Sequence, residues 1–311
     1  LIIIVAFSVW LRMGRKPEVK DNNIPAKSVA VKEKSEPMLM DSGIEKMPVE
    51  ESRQATSAQK KTQVMPSKPL YSAKEIEVAK GLEAKGKLQE ARAKYFELLE
   101  MLSDPKTVAE CEKRLGDVNM TLLVSSRPME EKVEYVVQRG DAIQKIAKKF
   151  GTTDELIIAQ NNLKTNDVLK VGDKLKVLKG TFSIEVSKSR NDLLLKLNGR
   201  FFKRYPVGTG KGGKTPSGRF VITNQKEKNP AWWKDNKAIP FGHPDNILGT
   251  RWMAIKAVGN TPEVRGYGIH GTWDDASIGK AESAGCIRMH NKDVEELFML
   301  VTPGTEVVIY D

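Results

Sequence analysis

The sequence predicts a multidomain chain. Its C-terminal part reads as a mainly-β sandwich or barrel, preceded by a small βααβ module, an α-helical hairpin segment and a disordered N-terminal tether. Three observations carry this. From Gly180 onward apolar residues recur with period two between glycine-rich turns. Between 132 and 179 two short amphipathic helical patterns are bracketed by strand patterns. From Gly14 to Leu70 there is no Phe, Tyr or Trp, while six of the fifteen prolines fall there.

Composition bounds the function. A length of 311 residues suggests about two domains, or several small ones. A hydrophobic content of 40% excludes a wholly disordered chain, and a mean hydropathy of −0.42 excludes a polytopic membrane protein. Two cysteines, Cys111 and Cys286, are too few for a disulfide framework or a thiolate zinc site. Three histidines leave little room for metal chemistry. With 51 basic against 40 acidic side chains the net charge is +11, which favours an anionic partner: nucleic acid, a membrane face or an acidic wall polymer.

Taken in order, residues 1–13 open with the apolar run Leu1 to Leu11 and turn basic at Arg12. Eleven helical residues span only about 16 Å, half of a ~30 Å hydrocarbon core, so the run is expected to be part of a membrane anchor. Residues 14–72 lack the apolar surface to offset chain entropy and are expected to form a flexible linker. In 73–127, Ile76, Ala79 and Leu82, then Leu88, Ala91, Tyr95, Leu98 and Leu102, recur at helical spacing. Gly86-Lys87 marks a turn between two helices, and Asp104-Pro105 opens a third that is expected to run through Leu115. The first pair loosely resembles one tetratricopeptide hairpin; a single repeat cannot bury its own face, so a packing element or spacer is the simpler expectation. Cys111, on that third helix, reads as a buried apolar residue.

Residues 132–179 carry Tyr135-Val136-Val137, Gly140-Asp141, Ile146-Ala147-Lys148-Lys149-Phe150, Asn161-Asn162-Leu163 and Val171-Gly172-Asp173-Lys174-Leu175. Their order and spacing resemble a LysM module, with Ala142-Ile143 departing from the hydroxyl residue and Leu many members have there. The resemblance implies a groove that binds N-acetylglucosamine-containing glycan, with Gly140, Asp141 and Asn161 as its expected contacts.

In 180–311, Asn198-Gly199 between two apolar runs signals a tight hairpin. Further strands are expected at Phe220–Ile222, Trp252–Ile255, Tyr267–His270 and Glu306–Ile309, with one helix near Asn291–Leu300. The chemistry-bearing set is His270-Gly271-Thr272, followed by Ser283-Ala284-Gly285-Cys286-Ile287-Arg288-Met289-His290. A thiol nucleophile needs a base, and a histidine ending a strand can be aimed at it. Glycine before Cys286 permits a tight turn whose N–H groups would face a developing oxyanion. Arg288 could hold a substrate carboxylate. His290 reads as packing or capping near the last helix, and His243 as a loop residue. Trp232, Trp233 and Trp273 are core or cleft-wall residues.

Gly266 to Thr272 and Ser283 to Met289 resemble the active-site signature of the L,D-transpeptidase (YkuD-type) catalytic domain; Thr215 to Phe220 and Leu248 to Met253 match further stretches. Many members have a second histidine where this chain has Ala284. The resemblance implies a bacterial cell-envelope acyltransferase that cross-links peptidoglycan stem peptides through a thioester on Cys286. In that scheme His270 is base and then acid, and the carbonyl of Gly271 or the Ser283 region orients the imidazole. Gly285 and Cys286 offer oxyanion donors, and Arg288 and Tyr267 bind substrate. It calls for no metal or organic cofactor, and it implies that carbapenem-type β-lactams acylate Cys286. Two alternatives use the same residues: an L,D-carboxypeptidase, with water as acceptor, and a non-catalytic peptidoglycan-binding protein. A nucleic-acid binder would need basic residues clustered among exposed aromatics, and no such pattern is present. The 19 basic and 14 acidic residues of 180–311 are spread along the chain.

Overall fold

A computed structural model describes residues 68–311, Asn166 excepted. The expected anchor at 1–13 and nearly all of the expected linker at 14–72 lie outside the described residues. Among the described residues no helix is long and apolar enough to cross a membrane.

The helical segment holds the expected pair and the third helix after it, α1 (Lys68–Ala84), α2 (Leu88–Met101) and α3 (Pro105–Leu123), with α1 starting inside the stretch expected to be linker. Asp104 caps α3, its carboxylate accepting from the Thr107 N–H at 2.9 Å, and Pro105 fits the first turn, where its missing N–H costs nothing. α3 runs past the expected end at Leu115 because Val118, Leu122 and Leu123 continue its buried stripe.

Next come β1 (Lys132–Val136), α4 (Ile143–Phe150), α5 (Asp154–Gln160) and β2 (Lys174–Leu178), with β1 and β2 antiparallel. This βααβ unit has its own apolar centre, which includes Val137, Ile146, Ile157 and Val177. The remaining strands are β3 (Phe182–Ser187), β4 (Asp192–Leu197), β5 (Arg200–Pro206), β6 (Thr209–Gly210), β7 (Gly218–Lys228), β8 (Trp232–Lys234), β9 (Lys237–Ile239), β10 (Arg251–Ala257), β11 (Gly268–Thr272), β12 (Ala281–Ser283) and β13 (Ile287–His290); α6 (Asn291–Leu300) and β14 (Glu306–Tyr310) complete the chain.

Eight strands form one sheet in the order β13-β11-β10-β7-β14-β3-β4-β5. The β4–β5 hairpin turns on Asn198-Gly199, both at positive φ (51° and 77°), as the sequence predicts. Within this sheet two pairings are parallel, β11 with β13 and β14 with β3, which local turn signals do not reveal. The first brings the two halves of the sequence motif side by side.

The helices and the sheet share one core. Tyr95, Leu98, Cys111 and Leu115 are buried in the same cluster as Phe202 and Tyr205 of β5. The Asn119 amide donates to the Phe202 carbonyl at 2.8 Å, and Arg204 grips Glu112 through two bonds of 2.7 and 2.8 Å. The helices therefore cover the edge strand β5, whose unpaired backbone would otherwise face solvent. The βααβ unit is tied to the sheet domain too: Thr153 Oγ1 donates to the Met299 carbonyl near the end of α6, and Glu155 pairs with Lys228 at 2.7 Å.

Candidate active site

The parallel β11–β13 pair sets His270 opposite Arg288, while Cys286 occupies the turn just before β13. His270, Ser283, Cys286 and Arg288 line one cleft of about 560 Å³, with Trp232, Trp233 and Leu248 among its other wall residues. Trp233, on the two-stranded β8–β9 ribbon, is 72% exposed.

His270 is 2% exposed, and its Nδ1 lies 2.6 Å from the carbonyl of Gly271. A carbonyl only accepts, so Nδ1 carries the proton and Nε2 keeps its lone pair. Burial depresses the imidazole pKa to about 4; the Gly271 and Leu248 carbonyls oppose that shift, and the Arg288 charge adds to it. Burial likewise pushes the Cys286 thiol up, against the Gly268 backbone and Arg288, which lower it. The thiol donates to the Gly266 carbonyl at 3.6 Å. Both shifts favour the neutral thiol and the neutral imidazole.

The turn that holds Cys286 is braced from two sides. Ser283 Oγ donates to the Cys286 carbonyl at 2.7 Å and accepts from the Gly285 N–H at 3.0 Å. Thr215, 1% exposed, donates from Oγ1 to the Gly285 carbonyl at 2.8 Å and accepts from the Gly210 N–H at 2.7 Å. Gly285 sits at φ 137°, and a Cβ there would stand 2.5 Å from Tyr267 Cε1. Arg288 makes no ion pair among the described residues, although it is half-buried beside the thiol.

Residues 181–309 match the L,D-transpeptidase catalytic domain (YkuD) family, and residues 135–178 match the LysM domain family. The Bacillus subtilis protein YqjB, named as a candidate L,D-transpeptidase, is 43% identical over 135 residues, covering 43% of this chain and 74% of its own length. YkuD of the same organism, named likewise, is 38% identical over 184 residues, covering 56% of this chain and 97% of its own. The chain belongs to the L,D-transpeptidase family. Among solved structures, L,D-transpeptidase 3 from Mycobacterium tuberculosis aligns over 45% of this chain and 65% of its own, at 18% identity and a TM-score of 0.35.

In this family member several of the expected site groups are engaged by the protein itself. The Gly285 N–H is already spent on Ser283, so it is not an open oxyanion donor; the Cys286 N–H has no partner among the described residues. Ser283 braces the turn that holds Cys286, and the His270 ring donates from Nδ1 to the Gly271 carbonyl. Tyr267 packs on Gly285 and the edge of the core, and is not among the cleft's wall residues. His290 pairs with Asp275 at 2.7 Å, and the exposed His243 accepts from the Asp245 N–H in its own loop.

The glycan contacts expected in the LysM module change more. Asp141 accepts from the Tyr135 hydroxyl at 2.7 Å and the Gln138 N–H at 2.8 Å, bonds that hold its carboxyl below the usual range. Asn161 donates to the Ile157 and Lys176 carbonyls and accepts from the Lys176 N–H, locking α5 to β2. The Gly140 carbonyl is taken by Lys145 at 2.7 Å. These bonds hold the module's own turns.

Sequence reading passed over Thr215, which entered only as part of a matching stretch, and over Glu227 and Trp252. Both of the latter line the cleft. Strand register is the signal that finds them: Glu227 pairs with Trp252, and Trp252 with His270. Among the described residues, no group of three or more His, Cys, Asp or Glu is placed to hold a metal ion.

Proposed function

We propose that this protein is an L,D-transpeptidase that cross-links peptidoglycan stem peptides through a thioester on Cys286. One observation carries the reading: a buried neutral histidine, its Nδ1 fixed on the Gly271 carbonyl, shares a cleft with a half-buried thiol and an unpaired arginine.

Cys286 Sγ attacks the carbonyl carbon of the third residue of a donor stem tetrapeptide as its proton passes to His270 Nε2. The Cys286 N–H, without a partner among the described residues, would meet the oxygen of the tetrahedral adduct. Collapse breaks the peptide bond, and the imidazolium gives its proton to the departing amine of the terminal D-Ala. An amine of a second stem then attacks the thioester and loses a proton to His270. The new amide forms, and the thiol is restored. Arg288 supports the scheme as the free cation that would hold the donor's terminal carboxylate. Water in place of the amine gives a carboxypeptidase outcome from the same intermediate.

The LysM module would hold the glycan strand, and work on the bacterial cell envelope follows from that reading. The apolar run Leu1 to Leu11, outside the described residues, fits attachment at the membrane face. Incubating the full chain and its Cys286→Ala variant with disaccharide-tetrapeptide, followed by mass spectrometry, tests the reading. A cross-linked dimer with D-Ala release, absent from the variant, is expected. A tripeptide alone would assign carboxypeptidase activity, and no product from the folded chain would leave a binding protein.

A further inference from the structure

Four cleft side chains stand in one row across the sheet. Glu227 on β7 faces Trp252 on β10, Trp252 faces His270 on β11, and His270 faces Arg288 on β13. Directly opposed residues on neighbouring strands point to the same face of a sheet, and all four line the same cleft. The row reads carboxylate, indole, imidazole, guanidinium. Its neighbours agree with this facing. Gln225, two residues before Glu227, also lines the cleft, whereas Lys226 points to the opposite face and donates to the Phe298 carbonyl at 2.9 Å.

With strands about 4.8 Å apart, Glu227 stands roughly 10 Å from the His270 position and roughly 14 Å from Arg288. The ring of Trp252 fills part of the gap, its centroid 5.7 Å from that of His270 and tilted by 33°. Neither end of the row is neutralised: no partner within ion-pair distance of Glu227 or Arg288 occurs among the described residues. The nearby cations are taken, Lys228 by Glu155 and Arg251 by Glu295.

We infer that Glu227 is a specificity-determining residue: it anchors a cationic side chain on the donor residue whose carbonyl Cys286 attacks. The assignment rests on the acyl-transfer reading above and adds the side-chain chemistry that the cleft selects. With the scissile carbonyl at Cys286 and the terminal carboxylate at Arg288, the donor side chain is left to run the other way along the row. Methylenes would lie against the indole, and a terminal ammonium would meet Glu227 beyond it, with the indole face adding cation–π attraction on the way. A cleft with one free charge of each sign at its ends also fixes the direction in which a peptide enters.

The test is a binding cycle in the full chain carrying Cys286→Ala, so that it reads recognition without chemistry. Two tetrapeptides are compared by calorimetry, one with lysine and one with the uncharged isostere norleucine at the third residue, each against Glu227 and Glu227→Gln. The lysine peptide is expected to bind about fivefold to twentyfold more tightly than the norleucine peptide. That preference should collapse to within about twofold in Glu227→Gln, weaken in high salt and return in part in Glu227→Asp. An unchanged preference in Glu227→Gln, or an equal loss on both peptides, overturns the assignment. Acylation of the unsubstituted chain by the same peptides is read separately. Its absence would overturn the acyl-transfer reading while the binding cycle still decides the role of Glu227.

Discussion

Thr215 offers a sharp test of how the proposed nucleophile, Cys286, is held. Its hydroxyl is buried and joins two backbone groups on different segments, the Gly210 N–H and the Gly285 carbonyl. Thr215→Val keeps the shape and removes both bonds. A buried backbone group left unpaired costs about 1–3 kcal/mol. Two such groups, less the relief of no longer burying a hydroxyl, give a loss of about 2–4 kcal/mol. For a folded unit of this size that lowers the melting temperature by roughly 5–15 °C. Thr215→Ser keeps the hydroxyl and should recover most of the loss. The Gly285 carbonyl precedes Cys286 directly, so its release should also displace the thiol and slow acylation by about 10-fold to 100-fold. Because Cys111 is buried, alkylation by iodoacetamide reads the Cys286 thiol alone. A valine variant that melts within about a degree of the parent and alkylates at the parent rate would refute the reasoning, as would a serine variant as impaired as valine.

Three further outcomes are expected. His270 is neutral when buried, with a pKa near 4 against an ordinary 6.5, so below pH 6.5 the unfolded chain takes up a proton that the folded chain refuses. Its contribution is complete above pH 6.5 and falls as the pH drops to 4, by about 3 kcal/mol from a difference of 2.5 units, 6.5 minus 4. Urea midpoints across that range should show a shallower acid limb in His270→Gln, and an identical limb would remove this histidine from the account. Asn161→Ala leaves both backbone groups of Lys176 short of a partner, which should loosen the LysM unit by about 1–3 kcal/mol. Hydrogen exchange in β2 would register it, and unchanged protection there would contradict the lock. Gly285→Ala drives a Cβ toward the Tyr267 ring from a left-handed φ. Acylation by a tetrapeptide donor should fall by about 100-fold with the fold retained; a parent-like rate would mean that the turn relaxes freely.

What the sequence discloses is mostly local. Asn198-Gly199 dictates its hairpin because both residues tolerate positive φ. Asp104-Pro105 starts α3 because one side chain caps and the other lacks the N–H that would go unpaired. Cys286 and His270 stand out through an ordered motif, and the sheet brings them to one cleft. The rest depends on pairing across the chain. The parallel partnership of β11 with β13 has no turn to announce it, and without that register the row from Glu227 to Arg288 is invisible. Asp141 and Asn161 show the opposite difficulty. Residues equipped to bind a sugar are equally equipped to bind a backbone, and only the folded turn reveals which they do. The Gly285 N–H was expected to face the substrate for the same kind of reason, and a neighbouring hydroxyl claims it instead.

The helical cover on β5 bears on how portable the catalytic region is. Similarity to the family begins at residue 181, yet the apolar interior extends back to Ile76, and Asn119 and Glu112 reach forward to Phe202 and Arg204. A fragment starting at Gly180 would bare a strand edge and a greasy flank, and would pair with copies of itself. In this chain the three helices supply the cover that β5 and its apolar side chains rest against. The packed unit here is longer than the stretch that matches the family.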